Sequence, residues 1–222
     1  MRNDVAFGQE LRVGVLGGGQ LGRMMIQAAA DWDLRVEVMD PSEDAPCRHL
    51  THRFVQGDLQ DANEVFEFGK SCDVITIEIE HVSVEGLRRL KAAGVAVHPD
   101  PEHLAIIQDK GLQKQFFQQH GIPSAPFTLS EGLPLSEFPI VQKLRKGGYD
   151  GKGVAILHSI EDAHSSGFDA PCVLEQPVNI AKELSVIVAR NPSGATATFP
   201  VVESVFDPEA NLVDYLIAPA EI

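Results

Sequence analysis

The stretch that decides the fold is LRVGVLGGGQLGRM, at residues 11–24. Its first six residues are typical of a short buried strand, and from residue 20 onward apolar side chains recur at helical spacing. Between the two, Gly17, Gly19 and Gly22 form the pattern G-x-G-x-x-G, which can bring backbone N–H groups and a helix N-terminus close to an anion. A strand, a glycine turn and a helix in this order predict the start of a parallel α/β sheet.

The same alternation of strands and helices continues along the first hundred residues. Further strands are predicted at 35–39, 73–77 and 95–97, and helices at 20–31, 61–71 and 84–93. Two prolines in HPDP, at 98–101, mark the end of this pattern. We therefore predict an α/β protein whose first domain, residues 1–100, is Rossmann-like, with a parallel sheet covered on both faces.

The pattern changes after residue 100. Two helical pieces are expected within 102–120, followed by a proline-containing connection, so residues 101–127 form a predicted helical linker. Short apolar runs with turn signals then predict a mostly antiparallel sheet and one helix. The predicted strands are 140–144, 153–157, 172–176, 184–189, 196–202 and the beginning of 212–222, and the helix is 160–166. We divide this part into an α+β domain, 128–190, and a further segment, 191–222.

Composition excludes several classes of protein. The 222 residues carry a formal net charge of −14, which argues against binding nucleic acid or an anionic membrane through a basic surface. No apolar run has the roughly 18 residues that a membrane helix needs, and the polar N-terminus does not resemble a targeting signal. The three cysteines Cys47, Cys72 and Cys172 are far apart and odd in number, which favours buried free thiols and a cytoplasmic location.

The first glycine loop has two possible functions. Asp40 ends the second predicted strand, near the position of the ribose-binding acid in dinucleotide folds. This placement allows a nicotinamide-dependent dehydrogenase. Alternatively, Gly17 to Gly22 form only the tight turn that a strand–helix unit needs, and Asp40 only a turn before Pro41. The sequence pattern by itself leaves both open.

A second glycine-rich loop carries more chemistry. Lys143 ends an apolar strand, and the loop that follows contains Arg145, Lys146 and Lys152 among four glycines. A buried-strand lysine needs an anionic partner or an exit to solvent, and glycine amides can wrap a phosphate. The pattern therefore indicates a phosphate-binding flap; the alternative is a basic hairpin tip in solvent.

Acidic residues at later strand ends complete the predicted cleft. The apolar strand 172–174 leads to Glu175 and Gln176, which could hydrogen-bond the edge of a ligand, and Glu183 opens the next strand, where an acid could reach a ribose. Taken singly, each acid is more often a solvated surface residue. Together with Lys143 and the glycine flap, they outline a nucleotide cleft.

At these residues the sequence resembles carboxyaminoimidazole ribonucleotide synthetase, an ATP-grasp family of purine biosynthesis. The matching segments are GGGQLGRM (17–24), TIEIEHV (76–82), QDKGLQKQFF (108–117), GGYDGKG (147–153) and LEQPVNIAKELSVIVAR (174–190). The resemblance implies a Rossmann-like pre-ATP-grasp domain, an ATP-grasp lid at 128–190 and the start of a truncated ATP-grasp core at 191–222. It also implies ATP-dependent carboxylation of aminoimidazole ribonucleotide with bicarbonate, through carboxyphosphate, releasing ADP and phosphate.

The family pattern carries over to individual positions, while catalytic residues stay unassigned. It implies an ATP site formed by Lys110, Lys143, Gly148, Tyr149, Asp150, Gly151, Lys152, Gly153, Val154, Glu175, Gln176, Pro177, Val178 and Glu183. For aminoimidazole ribonucleotide it implies contacts from Tyr149, Asp150, Lys152, Gly19, Gln20 and Glu78. Lys152 stands where an arginine is common, which keeps the charge and loses a bidentate geometry.

The resemblance also implies partners that these residues do not supply. The family requires Mg²⁺, and its metal-binding acids are expected beyond residue 222, so no metal ligand is assigned here and the chain is expected to be an incomplete piece. A homodimer is expected. The formate-dependent glycinamide ribonucleotide transformylase, a relative of the same architecture, and a non-catalytic nucleotide-binding module are the alternatives.

Overall fold

The computed structural model describes residues 11–133, 137–148, 152–207 and 212–222. The chain divides into two compact units, one ending at Gln176 and the other formed by Pro177–Ile222. Each unit has its own sheets.

The first unit begins with a five-stranded parallel sheet. Its strands are β1 (Arg12–Leu16), β2 (Arg35–Asp40), β3 (Arg53–Gln56), β4 (Val74–Ile77) and β5 (Ala96–Val97). Their order is β3-β2-β1-β4-β5, so β1 lies at the centre with β2 and β4 on either side. In such a sheet the segments that follow β1 and β4 meet at the carboxyl edge, which is the usual position of a ligand.

Helices cover both faces of this sheet. Helix α1 (Gln20–Ala30) buries Ile26 and Ala29 against one face, and α2 (Ala62–Gly69) and α3 (Val84–Ala92) cover the other. Asp61 and Ser83 cap α2 and α3, because their side-chain oxygens accept backbone N–H groups of the first turn. The predicted Rossmann-like arrangement is confirmed. Strand β3 was not predicted, since RFVQ is short and has polar residues at both ends.

Two short helices connect this sheet to the next. Helices α4 (Pro101–Ile107) and α5 (Lys110–Gln119) are each capped by an aspartate, Asp100 and Asp109. An antiparallel sheet follows, with α6 (Ile160–Ser166) packed beside β8. Its strands are β6 (Phe127–Ser130), β7 (Ile140–Leu144), β8 (Val154–Leu157) and β9 (Cys172–Glu175), in the order β6-β9-β7-β8. The predicted antiparallel sheet and its helix are confirmed.

The second unit contains two small antiparallel sheets. One has the order β10-β13-β14 and the other pairs β11 with β12. Their strands are β10 (Glu183–Ser185), β11 (Val188–Arg190), β12 (Thr196–Thr198), β13 (Val202–Asp207) and β14 (Leu212–Ile217).

Two strands predicted in this unit were wrong in extent. The run 184–189 is divided between β10 and β11, which pair in different sheets. The run 196–202 breaks after β12, where Pro200 lacks the N–H donor that a ladder requires. An apolar run shows that a segment is extended, but it does not show where the segment changes from pairing with one strand to pairing with another.

The predicted domain limits at residues 100, 127 and 190 stay predictions. None of the described helices is long and apolar enough to cross a membrane.

Candidate functional site

The register of the antiparallel sheet brings Lys143 and Glu175 together. In the pairing of β7 with β9, Lys143 lies opposite Val173 and Val141 opposite Glu175. Residues two apart on a strand share a face, so Lys143 and Glu175 are diagonal neighbours on the same face. Their side chains form an ion pair, with 2.6 Å between Lys143 Nζ and Glu175 Oε2.

A second lysine, Lys114, binds the other oxygen of the same carboxylate. Its Nζ lies 2.7 Å from Glu175 Oε1, and only 12% of its side chain is exposed. Lys114 belongs to α5, donates a hydrogen bond to Ser124 Oγ and lies over the ring of Phe127. Sequence analysis missed this residue. The only signal in the sequence was that Lys114 lies one helical turn after Lys110. This spacing does not show which strand that side of the helix contacts.

The two lysines determine the ionisation of Glu175. Burial is the largest single influence and raises the pKa, because it disfavours the charged carboxylate. Hydrogen bonds and charge from Lys114 and Lys143 together outweigh burial, so the pKa of Glu175 lies below its ordinary value. The carboxylate is therefore charged at neutral pH, and Lys114, Lys143 and Glu175 form one ion-pair network on this face of the sheet.

Another ion pair joins the second glycine loop to the start of α5. Arg145 donates two hydrogen bonds to Asp109, at 2.9 Å from Nε to Oδ1 and 2.8 Å from Nη2 to Oδ2. Asp109 also accepts the N–H groups of Gly111 and Leu112, and the N–H of Lys110 donates to the Arg145 carbonyl. Although burial raises the pKa of Asp109, Arg145 and the helix amides lower it more. Lys110 is thus held beside the loop.

The loop is narrow at its neck. A Cβ added to Gly148 would lie 2.7 Å from the carbonyl oxygen of Lys152 and 3.5 Å from Lys110 Nζ, so the chain segments and the lysine meet there. Gly153 has a φ of +78°. As a glycine, it has no side chain that would fill the space next to Gly148. Lys152 and Val154 are exposed. The predicted contacts Tyr149, Asp150 and Gly151 lie outside the described residues.

The first glycine loop has a different neighbour, the carboxylate of Glu78. Glu78 directly follows β4, and its N–H donates to the carbonyl of Leu16 at the end of β1. A Cβ on Gly17 or Gly19 would lie 2.6 Å from a carboxylate oxygen of Glu78. The structure therefore brings together three predicted contacts for the ribonucleotide, namely Gly19, Gln20 and Glu78.

Asp40 is engaged within the protein. One of its carboxylate oxygens accepts the N–H of Gly18 at 2.7 Å, and the other accepts the N–H of Ser42 at 2.8 Å. Burial, and then the charges of Glu78 and Asp40, raise the pKa of the nearby Cys47 thiol, while the charge of Arg23 lowers it. Asp40 thus stabilises the glycine turn, as the simpler of the two interpretations expected.

The remaining predicted contacts are exposed. Gln176 is exposed, and its backbone N–H donates to the carbonyl of Pro126. Pro177, Val178 and Glu183 belong to the second unit, where Glu183 opens β10. Within the described residues, no group of three or more histidine, cysteine, aspartate or glutamate side chains could hold a metal ion. All three cysteines are buried and free.

Comparison with protein families matches nearly the whole chain in two parts. Residues 11–108 match the ribonucleotide synthetase preATP-grasp domain, and residues 115–222 match the ATP-grasp domain. Among curated proteins, the N5-carboxyaminoimidazole ribonucleotide synthase of Synechococcus elongatus is 35% identical over 230 residues, covering 99% of this chain and 58% of that protein. The chain thus spans a little over half the length of this relative.

Solved structures give the same result. The Staphylococcus aureus N5-carboxyaminoimidazole synthetase complexed with ADP has a TM-score of 0.86 and 30% identity, covering 99% of this chain and 62% of that one. The Aspergillus clavatus enzyme in complex with ADP and 5-aminoimidazole ribonucleotide has a TM-score of 0.82 and 28% identity, covering 96% and 58%. The chain therefore contains the preATP-grasp and ATP-grasp domains, and the relatives that it matches are N5-carboxyaminoimidazole ribonucleotide synthases and synthetases.

Proposed function

We propose that this chain binds the phosphates of ATP between its second glycine loop and α5. The observation that carries the proposal is that Lys110, from α5, lies beside the neck of the loop that follows Lys143, in a chain whose net charge is −14. Cations and glycine amides that meet at one place are suited to a polyphosphate, because they neutralise its charge and approach its oxygens closely.

The proposed ATP site extends beyond this pair of lysines. The loop from Gly148 to Val154, with Tyr149, Asp150, Gly151, Lys152 and Gly153, would close over the phosphates and exclude water. The segment Glu175, Gln176, Pro177 and Val178 would contact the adenine edge, and Glu183 the ribose. These assignments rest on the family resemblance.

For the whole protein we propose carboxylation of aminoimidazole ribonucleotide. Bicarbonate attacks the γ-phosphorus of ATP and ADP leaves; the exocyclic amine then attacks the carboxyphosphate carbon, and phosphate leaves. Two relatives of the chain carry the name of this synthetase, which supports this reaction over transfer of formate. The chain's own part is to hold nucleotide and amine in one orientation and to exclude water from the mixed anhydride.

The first glycine loop is the proposed contact for the ribonucleotide, with Tyr149, Asp150 and Lys152 from the flap. The Glu78 carboxylate beside Gly19 repels a phosphate but accepts hydrogen bonds from hydroxyl or amine groups. We therefore assign Glu78, Gly19 and Gln20 to the uncharged part of the ribonucleotide.

Mg²⁺ is also implied by the family, but the described residues do not fit it. They offer no cluster of acidic side chains for a hard cation, so no step of the chemistry is assigned to a metal here.

A homodimer, a cytoplasmic location and domain limits at 100, 127 and 190 complete the proposal. The three free buried thiols support a reducing compartment.

ADP binding by this chain tests the nucleotide site. Calorimetric titration should show binding that weakens about 10- to 100-fold in Lys143→Ala, the range for a lost charge-assisted hydrogen bond to a phosphate. Lys146→Ala is the matched control, since Lys146 is an exposed lysine of the same loop. Equal affinities in the two variants would contradict the role of Lys143.

Release of ADP tests the substrate. With ATP, Mg²⁺ and bicarbonate, release that depends on aminoimidazole ribonucleotide supports the synthetase. Release that instead depends on formate and glycinamide ribonucleotide supports the transformylase. Nucleotide binding without either reaction supports a binding module.

A further inference from the structure

We propose that Lys114 is a positioning residue that makes Lys143 available to the nucleotide. In the structure, Lys143 is paired with Glu175, so it must loosen this ion pair to reach a phosphate. Lys114 stays paired with the Glu175 carboxylate and continues to neutralise its charge. The inference rests on the proposed binding of ATP phosphates and extends it to a residue outside the predicted site.

The geometry distinguishes the two lysines. Lys114 binds Glu175 Oε1 at 2.7 Å and is 12% exposed, whereas Lys143 binds Oε2 at 2.6 Å and is 30% exposed. Lys114 is also fixed by Ser124 Oγ and by the ring of Phe127. Lys143 is the second-last residue of β7, next to the glycine loop. Lys114 is therefore the stationary partner of the carboxylate, and Lys143 is the one that can turn toward a ligand.

The charge count explains why two lysines are needed. Glu175 is buried, and removing the only cation from a buried carboxylate is strongly unfavourable, because the remaining charge is neither hydrated nor paired. With Lys114 in place, the carboxylate keeps one partner when Lys143 moves. Without Lys114, Glu175 would hold Lys143 more tightly, and the phosphates of a nucleotide would have to compete with it.

A simpler role for Lys114 makes different predictions. If it only clamps α5 to β9, its loss should disturb every ligand of the site equally, and removing the charge of Glu175 should not help. If Lys114 frees Lys143, its loss should weaken the binding of ligands that contain phosphates. Removing the charge of Glu175 should then restore the preference for such ligands over ligands without phosphates.

The experiment compares ADP with adenosine as probes, by titration of the wild-type chain and three variants. Lys114→Met should weaken ADP binding at least about tenfold while changing adenosine binding by less than about threefold. The double variant Lys114→Met/Glu175→Gln should return the ratio of ADP affinity to adenosine affinity to within about threefold of the wild type, because Lys143 is released. A lost contact between Glu175 and the adenine edge would weaken both probes alike and leave this ratio unchanged. Lys114→Arg keeps the charge and should bind ADP like the wild type. Thermal unfolding of each variant monitors the fold.

Each result decides between the two roles. Wild-type ADP affinity in Lys114→Met, or equal losses for ADP and adenosine, would overturn the inference while leaving the proposed function intact. A double variant that binds ADP, relative to adenosine, as weakly as Lys114→Met does would also overturn the inference. If Lys114→Met does not fold, the double variant carries the test alone, since it contains no unpaired buried charge. A wild-type chain that does not bind ADP would contradict the proposed function and the inference together.

Discussion

The two glycine-rich loops of this chain have similar sequences and opposite surroundings. The first, Gly17 to Gly22, lies against the carboxylate of Glu78 and is tied to Asp40 through the N–H of Gly18. The second begins after Lys143, and its neck is flanked by Lys110 and by the Arg145–Asp109 ion pair. Close contacts with carboxylates position the first loop, whereas ion pairs position the second.

The difference shows that a glycine pattern defines a turn and leaves its chemistry to its neighbours. A G-x-G-x-x-G sequence brings backbone amides near a ligand, but an adjacent carboxylate disfavours phosphate, whereas adjacent lysines favour it. The signature that first indicates anion binding thus belongs to the acidic loop. The phosphate site that we propose is the loop without that signature.

Removal of the anchor of the second loop should have the largest effect on stability. Asp109→Ala leaves Arg145 without its buried partner and α5 without its cap, so we expect a loss of about 3–5 kcal/mol in the free energy of unfolding. Urea denaturation measures it. Asp61→Ala is the matched control, because Asp61 also caps a helix through two N–H groups but makes no ion pair among the described contacts.

The control variant should lose only about 1 kcal/mol, the usual contribution of an N-cap. Equal losses in the two variants would mean that the Arg145 ion pair adds nothing, and that the second loop is held by packing like the first.

A smaller effect should separate the two loops by their glycines. Gly17 and Gly147 both have positive φ, +103° and +77°, so alanine is strained at either position. A Cβ on Gly17 would meet Glu78 and Ile79 at 2.6–3.1 Å, whereas none of the described atoms beyond its chain neighbours lies within 4 Å of a Cβ on Gly147. We expect Gly17→Ala to lose about 2–4 kcal/mol and Gly147→Ala about 1–2 kcal/mol.

Urea denaturation of both alanine variants gives the comparison directly. A loss at Gly147 as large as the loss at Gly17 would show that the second loop is packed as tightly as the first.

The pH dependence of stability should show the smallest effect. The folded pKa of Glu175 lies below its ordinary value of 4.5, so its ion pairs stabilise the protein above that pH. This contribution is lost as the pH falls through the lower folded pKa, since the carboxylate then takes up a proton. Glu175→Gln should therefore reduce the loss of stability on acidification from about pH 6 to about pH 3.

Chemical denaturation at several pH values checks this result, with Glu67→Gln as an exposed control whose ion pair with Lys70 is on the surface. A profile of Glu175→Gln identical to that of the wild type would show that the lysine network does not contribute to folding.

The sequence predicted the parallel sheet and most of the antiparallel one, because strands and helices there follow from local hydrophobic periodicity. It also gave Lys143 and Glu175 as candidate site residues, since a charged residue at the end of an apolar strand is conspicuous. It failed for β10 and β11, where an extended run changes its partner, and for Lys114, an ordinary lysine on an amphipathic helix.

The sequence by itself determined most of the order of elements, the glycine turns and the family resemblance, all of which depend on residues close together in the chain or on motif spacing. Only the tertiary structure decided which charges meet. Lys114, Lys143 and Glu175 come from a helix and two strands, and their contacts depend on strand register and on the position of α5 over the sheet. Ionic contacts act over a few ångströms between distant segments, so no local pattern of residues specifies them.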